Sequence, residues 1–164
     1  MNKKPPHPHT PPHPAAAPSR AVSAGRIAVG LVLLSAGLYK ASSPPEEFAA
    51  VLEAYYILPP EQTVTAASVM PWVEILVGLS MALGFKSRRA AAAGALLFAV
   101  FIGALASVLL RGIPLTDCGC FGWGLRLDPK HTILLDSVLL CLAALAFRKG
   151  GGLAPLDTWI DQGS

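Results

Sequence analysis

Four runs of apolar residues, each close to the length of a bilayer crossing, dominate this chain and restrict what it can fold into. They cover Ala21 to Tyr39, Val69 to Phe85 (extending back as far as Thr63), Ala90 to Leu110 and Thr132 to Phe147. A hydrocarbon core of about 30 Å asks for roughly 17–25 helical residues. The first three runs meet that length and the fourth meets it with its flanks. Lipid offers the backbone no hydrogen-bond partner, so apolar runs of this length must close their bonds internally as helices. Charged residues make up 14% of the chain and the mean hydropathy is +0.53, against about 25% charge in soluble domains. The expected fold class is therefore an all-α membrane protein, a bundle of four transmembrane helices.

The remaining sequence divides around that bundle. Residues 1–20 hold seven of the fifteen prolines and three of the four histidines. Proline at that density prevents a helix, and so few apolar residues cannot build a core, so a disordered tail is expected. His7, His9 and His13 give it at most weak metal-binding capacity. Its proline run ahead of any apolar stretch does not resemble a cleavable signal peptide. The membrane domain is expected over 21–149 and a short flexible tail over 150–164.

Four spans put both termini on one side. That side carries Lys3, Lys4, Arg20, Arg26, Lys86, Arg88, Arg89, Arg148 and Lys149, and the other carries Lys40, Arg111, Arg126 and Lys130. The excess of lysine and arginine in short loops marks the cytoplasmic face, so the termini are expected inside the cytoplasmic membrane. Tyr39, Tyr55, Tyr56, Trp72 and Trp123 then form an aromatic belt at the outer interface. The basic residues make no continuous patch, which excludes nucleic-acid binding; the partner expected from composition is the lipid bilayer.

The first outer loop carries a helix signal of its own. Ser43 stands as a capping residue before Pro44 at the first helical position, with Glu46 three residues on. Phe48, Val51, Leu52 and Tyr55 follow at helical spacing, with Glu46, Glu47 and Glu53 on the other face and Pro59–Pro60 at its end. This predicts a short amphipathic helix on the outer interface, placed to cover the other outer loop. In the third run, Ala99, Gly103 and Ser107 at spacing four predict close packing against another helix.

Three kinds of residue carry chemistry. Glu74 and Asp136 interrupt apolar runs in the outer half of the bilayer, where an ionisable group is costly and signals function or a buried pair; Lys40 or Arg111 is placed to neutralise one of them. Cys141 lies about 15 Å down the fourth helix at 1.5 Å per residue, and is expected to be a small buried hydrophobe. Cys118 and Cys120 stand in the second outer loop with a single glycine between them. Outside the cytoplasm a disulfide persists. Gly119 permits the bend that so short a bridge requires, and strain of that kind marks exchangeable bonds more than structural ones. Two thiolates also suit copper(I) or zinc, and an incidental pair is the third reading.

The stretches "AGLYKA", "FAAVLEAYYILP", "MPWVEILVGLSMALGF" and "DCGCFG" together resemble the DoxX-like membrane proteins, and within them the MauE family of methylamine utilisation. The resemblance runs from about Arg26 to Phe147. It implies a four-helix inner-membrane protein that assists disulfide formation in, or maturation of, a periplasmic methylamine dehydrogenase subunit beside a thioredoxin-like partner. Carried onto this chain, it makes Cys118 and Cys120 the redox pair of a thiol–disulfide oxidoreductase and Glu74 the intramembrane acid. Four-helix thiol oxidases of the DsbB and vitamin K epoxide reductase type pass electrons through two cysteine pairs to a quinone. Here there is one pair and a lone cysteine. The pair would therefore exchange directly with a partner and a quinone, or hand its electrons to another protein. A metal or small-molecule binding protein, or an assembly factor without redox activity, is the alternative.

Overall fold

A computed structural model describes residues 20–114 and 128–149. The expected tails, apart from Arg20, which opens the first helix, lie outside the described residues together with Cys118, Cys120, Trp123 and Arg126. The described residues form five helices: α1 (Arg20–Ser42), α2 (Pro45–Ala54), α3 (Pro60–Leu83), α4 (Ser87–Leu110) and α5 (Pro129–Arg148). All but α2 are long and apolar enough to cross a membrane. With 20 to 24 residues each they measure about 30–36 Å, matching a bilayer core.

The ends of the helices follow from local chemistry. Proline disfavours the helical region in the residue before it, and Pro44, just before Pro45, sits at φ −57°, ψ 135° and becomes the N-cap of α2. The helix thus starts one residue later than expected, and Ser43 does not cap it. Nor does the proline pair end α2. That helix stops at Ala54, Tyr56 turns the chain with φ 50°, and Pro60 instead opens α3. Gly84, at φ 77°, closes α3 in the left-handed conformation that glycine adopts without strain. Asp128 caps α5, accepting from the Lys130 backbone N–H at 2.9 Å, with Pro129 at the first helical position.

The long helices pack in the ring order α1–α3–α4–α5, each antiparallel to its neighbours, and α1 against α3 is the most extensive contact. At that contact the backbones nearly touch. A β-carbon on Gly78 would lie 2.6 Å from Leu34 N and 2.7 Å from Gly30 O, and one on Gly30 would lie 2.7 Å from Ala82 N. Small residues allow this approach where lipid supplies no hydrophobic force between helices. The expected stripe on α4 does not serve that purpose: a β-carbon on Gly103 would meet nothing within 4 Å, and Ala99 is exposed. The buried face of α4 runs instead through Ala91, Gly94, Phe98, Leu105 and Val108.

Burial is inverted relative to a water-soluble protein. Leu76, Leu96 and Leu134 are 65%, 66% and 65% exposed, whereas Arg26, Lys40, Glu74, Thr132 and Asp136 are buried. An apolar exterior around a polar interior is stable only where the solvent is lipid. The chain is a multi-pass membrane protein. Cys141 belongs to the outer surface, contrary to expectation. The buried positions of α5 are Thr132, Asp136, Leu139, Ala143 and Ala146, and a residue two beyond Leu139 falls on the opposite face.

The short helix closes one end of the bundle. Val51 of α2 and Tyr55, which caps its end, pack with Leu105 and Val108 of α4, with Ile113 and with Ile133 of α5. Its glutamates face outward, as the spacing predicts. Tyr55 is buried in this cluster and is not part of an exposed belt; Tyr39, Tyr56 and Trp72 are exposed. Thr63 Oγ1 ties α3 to α2 by donating to Glu53 Oε1 at 3.0 Å.

Candidate functional site

The site begins with Gly37. A β-carbon there would lie 2.8 Å from Pro71 O and 3.0 Å from Glu74 Cβ, so the missing side chain brings α1 onto α3 at the level of Glu74. One turn further along α1, Lys40 meets that acid: Nζ and Oε1 are 2.6 Å apart. Lys40 is 6% exposed and Glu74 is fully buried. Of the two cations that the sequence offers as neutralisers, Lys40 takes the role. Its ammonium also faces two aromatic rings, 4.9 Å from the Phe48 centroid and 5.2 Å from that of Phe101, a separation at which the ring quadrupole attracts a cation.

Arg111 does something else. Its Nη2 and Nη1 donate to the carbonyls of Tyr55 and Tyr56, and its Nε donates to Ser107 O. The last carbonyls of a helix lack intrahelical partners and carry partial negative charge, so Arg111 fastens the end of α2 onto α4.

Asp136 is buried in α5 and lines the same small cavity as Glu74, with Leu33, Ala36, Phe98 and Phe101 around them. The cavity measures about 10 Å³, close to what a single water needs. Glu74 Oε2 is buried and has no hydrogen-bond partner among the described residues. The two carboxylates recognised in the sequence are thus brought to one place, from helices α3 and α5, and Lys40 is joined to it through its ion pair with Glu74. Such an arrangement can hold or pass a proton, and it also fixes the register of α1 against α3.

One buried charge escaped the sequence reading. Arg26, counted there as a flank of the first run, is 1% exposed and donates from Nη1 to Met81 O at 2.6 Å. It caps the C-terminal end of α3 at the opposite end of the bundle from α2. The signal was present, since Arg26 lies six residues inside α1, where a charge needs a partner.

Cys118 and Cys120 lie outside the described residues. The positions that flank their segment do not: Ile113 and Ile133 both join the cluster under α2. The segment therefore leaves and rejoins the bundle at the end where Lys40 and Glu74 are found.

A family model described as methylamine utilisation protein MauE matches residues 18–148. The chain is 35% identical over 125 residues to the methylamine utilization protein MauE of Paracoccus denitrificans, covering 76% of this chain and 67% of that one. It is 38% identical over 94 residues to the protein of the same name from Methylophilus methylotrophus, covering 56% and 48%. The match to that of Paracoccus versutus is 32% over 125 residues. The chain thus spans about two thirds of the Paracoccus relatives and about half of the Methylophilus one. No solved structure matches.

Proposed function

The chain belongs to the MauE family of methylamine utilisation proteins, and on that footing we propose that it is an inner-membrane thiol–disulfide exchange protein. Cys118 and Cys120 form the exchanging pair outside the cytoplasm, and the client is a periplasmic protein of the methylamine dehydrogenase type, reached directly or through a thioredoxin-like partner. The observation that carries this reading is the Cys118-Gly119-Cys120 sequence in the segment joining α4 to α5. Its flanks stand at the end of the bundle opposite Lys86, Arg88, Arg89, Arg148 and Lys149. Lysine and arginine mark the cytoplasmic side, so the thiols face the oxidising compartment, where disulfides persist.

In the exchange a client thiolate attacks one sulfur of the Cys118–Cys120 bond. The mixed disulfide is then resolved by the second client thiolate. The client loses two electrons and two protons as its bond forms, and the pair takes them up as it becomes a dithiol. Glu74 is the intramembrane acid of this scheme, placed to handle protons while Lys40 holds it.

The test is a trap. With either Cys118→Ser or Cys120→Ser, the remaining thiol cannot be resolved from within the chain, and non-reducing gels of native membranes should show a covalent adduct that reductant releases. Copper or zinc retained by the purified wild type and lost in the same variants would replace this reading with metal binding. Full client maturation with both cysteines replaced would replace it with assembly.

A further inference from the structure

Beneath α2 lies a cavity of about 170 Å³, distinct from the small one between the carboxylates. Phe48 and Leu52 of α2 and Tyr55 just beyond it form one side, Phe101 and Ala104 of α4 another, and among the described residues Lys40 is the one charged group on its wall. Pockets for drug-sized ligands run from about 300 Å³ upward, so this one accommodates a single ring. Its edge carries the exposed apolar residues Ile57, Leu58 and Val100, which suits entry from hydrocarbon and the passage of an apolar tail.

The chemistry of the wall narrows the ligand further. An ammonium has three N–H donors. Among the described residues, one from Lys40 goes to Glu74 Oε1, and the side chain otherwise faces only the rings of Phe48 and Phe101. A buried donor with spare capacity asks for an acceptor oxygen. Because Glu74 already balances the charge, an anionic ligand would have to displace it, and a neutral carbonyl would not.

We propose that this cavity binds the head of a lipid-borne quinone, with Lys40 donating to a ring carbonyl and Phe48 and Phe101 flanking the ring. The use of the ligand rests on the disulfide-exchange reading; its binding does not. A dithiol closing to a disulfide gives up two electrons and two protons, and a quinone becoming a hydroquinone takes up the same number. The two half-reactions balance with no further reagent. Glu74 and Asp136, joined by a cavity of about one water, are the buried groups nearest to hand for the protons.

Equilibrium binding of decylubiquinone to the full chain in nanodiscs tests this, with decanoate as competitor. The expected result is saturable binding, equal in the wild type and in the Cys118→Ser/Cys120→Ser double variant. Val100→Trp at the exposed rim and Ala104→Phe inside the cavity should each weaken it by about tenfold or more. Their melting should remain that of the wild type. The paired change Lys40→Met/Glu74→Met, which removes both charges together, should also weaken binding by about tenfold, as the loss of one charge-assisted bond implies. Absence of saturable binding, binding unchanged in both cavity variants, or displacement by decanoate at equal concentration would overturn the proposal. Should quinone bind while no adduct can be trapped, the exchange reading falls and the site stands. An adduct without quinone binding gives the reverse.

Discussion

Lys40→Met, which removes the cation and leaves Glu74 buried, should destabilise the bundle by about 3–5 kcal/mol, the usual cost of breaking a buried ion pair. Glu74→Ala should do comparable damage from the other side. Both partners are taken out of lipid and water alike, so neither survivor has a solvent to turn to. The double variant Lys40→Met/Glu74→Met should return to within about 1 kcal/mol of the wild type, because an apolar pair of similar volume carries no desolvation penalty. Leu76→Ala, on the lipid-facing surface of the same helix, should change stability by about 0.5 kcal/mol or less. Denaturant or thermal unfolding in a mild detergent gives all four values, and the double-mutant cycle gives the coupling directly. A double variant that folds well yet no longer exchanges disulfides assigns the pair a working role, in proton handling where quinone still saturates it and in quinone binding where it does not. One that folds and exchanges normally assigns it to holding α1 and α3 in register.

Gly78→Val should be the most damaging single change in the apolar interior. The added β-carbon would press on Leu34 N and Gly30 O at 2.6 and 2.7 Å, where ordinary contact begins at 3.4 Å. Both obstacles are backbone atoms, so no side chain can rotate away. The helices must part, and the separation travels along α1 to Gly37, where the same closeness seats Glu74 against Lys40. A loss of about 3 kcal/mol is expected, at the upper end of the range for overpacking, accompanied by weakening of the ion pair. Gly103→Ala is the matching control. It adds its methyl to open space and should be neutral or stabilise by up to about 1 kcal/mol through helix propensity. Equal melting of Gly78→Val and the wild type would contradict the packing described for α1 and α3.

The elements that could be read from sequence are those fixed by local chemistry. A long uncharged run must be a helix in lipid whatever its neighbours do, so all four spans were legible. Glu74 and Asp136 stood out because each breaks such a run. The amphipathic face of α2 was legible from its spacing, although two adjacent prolines moved its start by one residue. What depended on how helices meet was not legible. Small residues permit close approach without demanding it: Gly30, Gly37 and Gly78 use the permission, whereas Ala99 and Gly103 face outward. Cys141 turned out to be exposed because the rotation of α5 is set by Asp136 and Leu139 facing the interior. The choice between Lys40 and Arg111 required knowing that α2 folds back far enough for Arg111 to take its terminal carbonyls.

Labelling intact cells with a membrane-impermeant maleimide, before and after mild reduction, reads the state and the side of the Cys118–Cys120 pair. Cys141 replaced by serine removes the third thiol from the background. Cys118 and Cys120 should resist the reagent until reduction and then label fully, as an accessible extracytoplasmic disulfide must. Immediate labelling without reduction, or labelling only after the membrane is opened, would contradict disulfide exchange at the outer face.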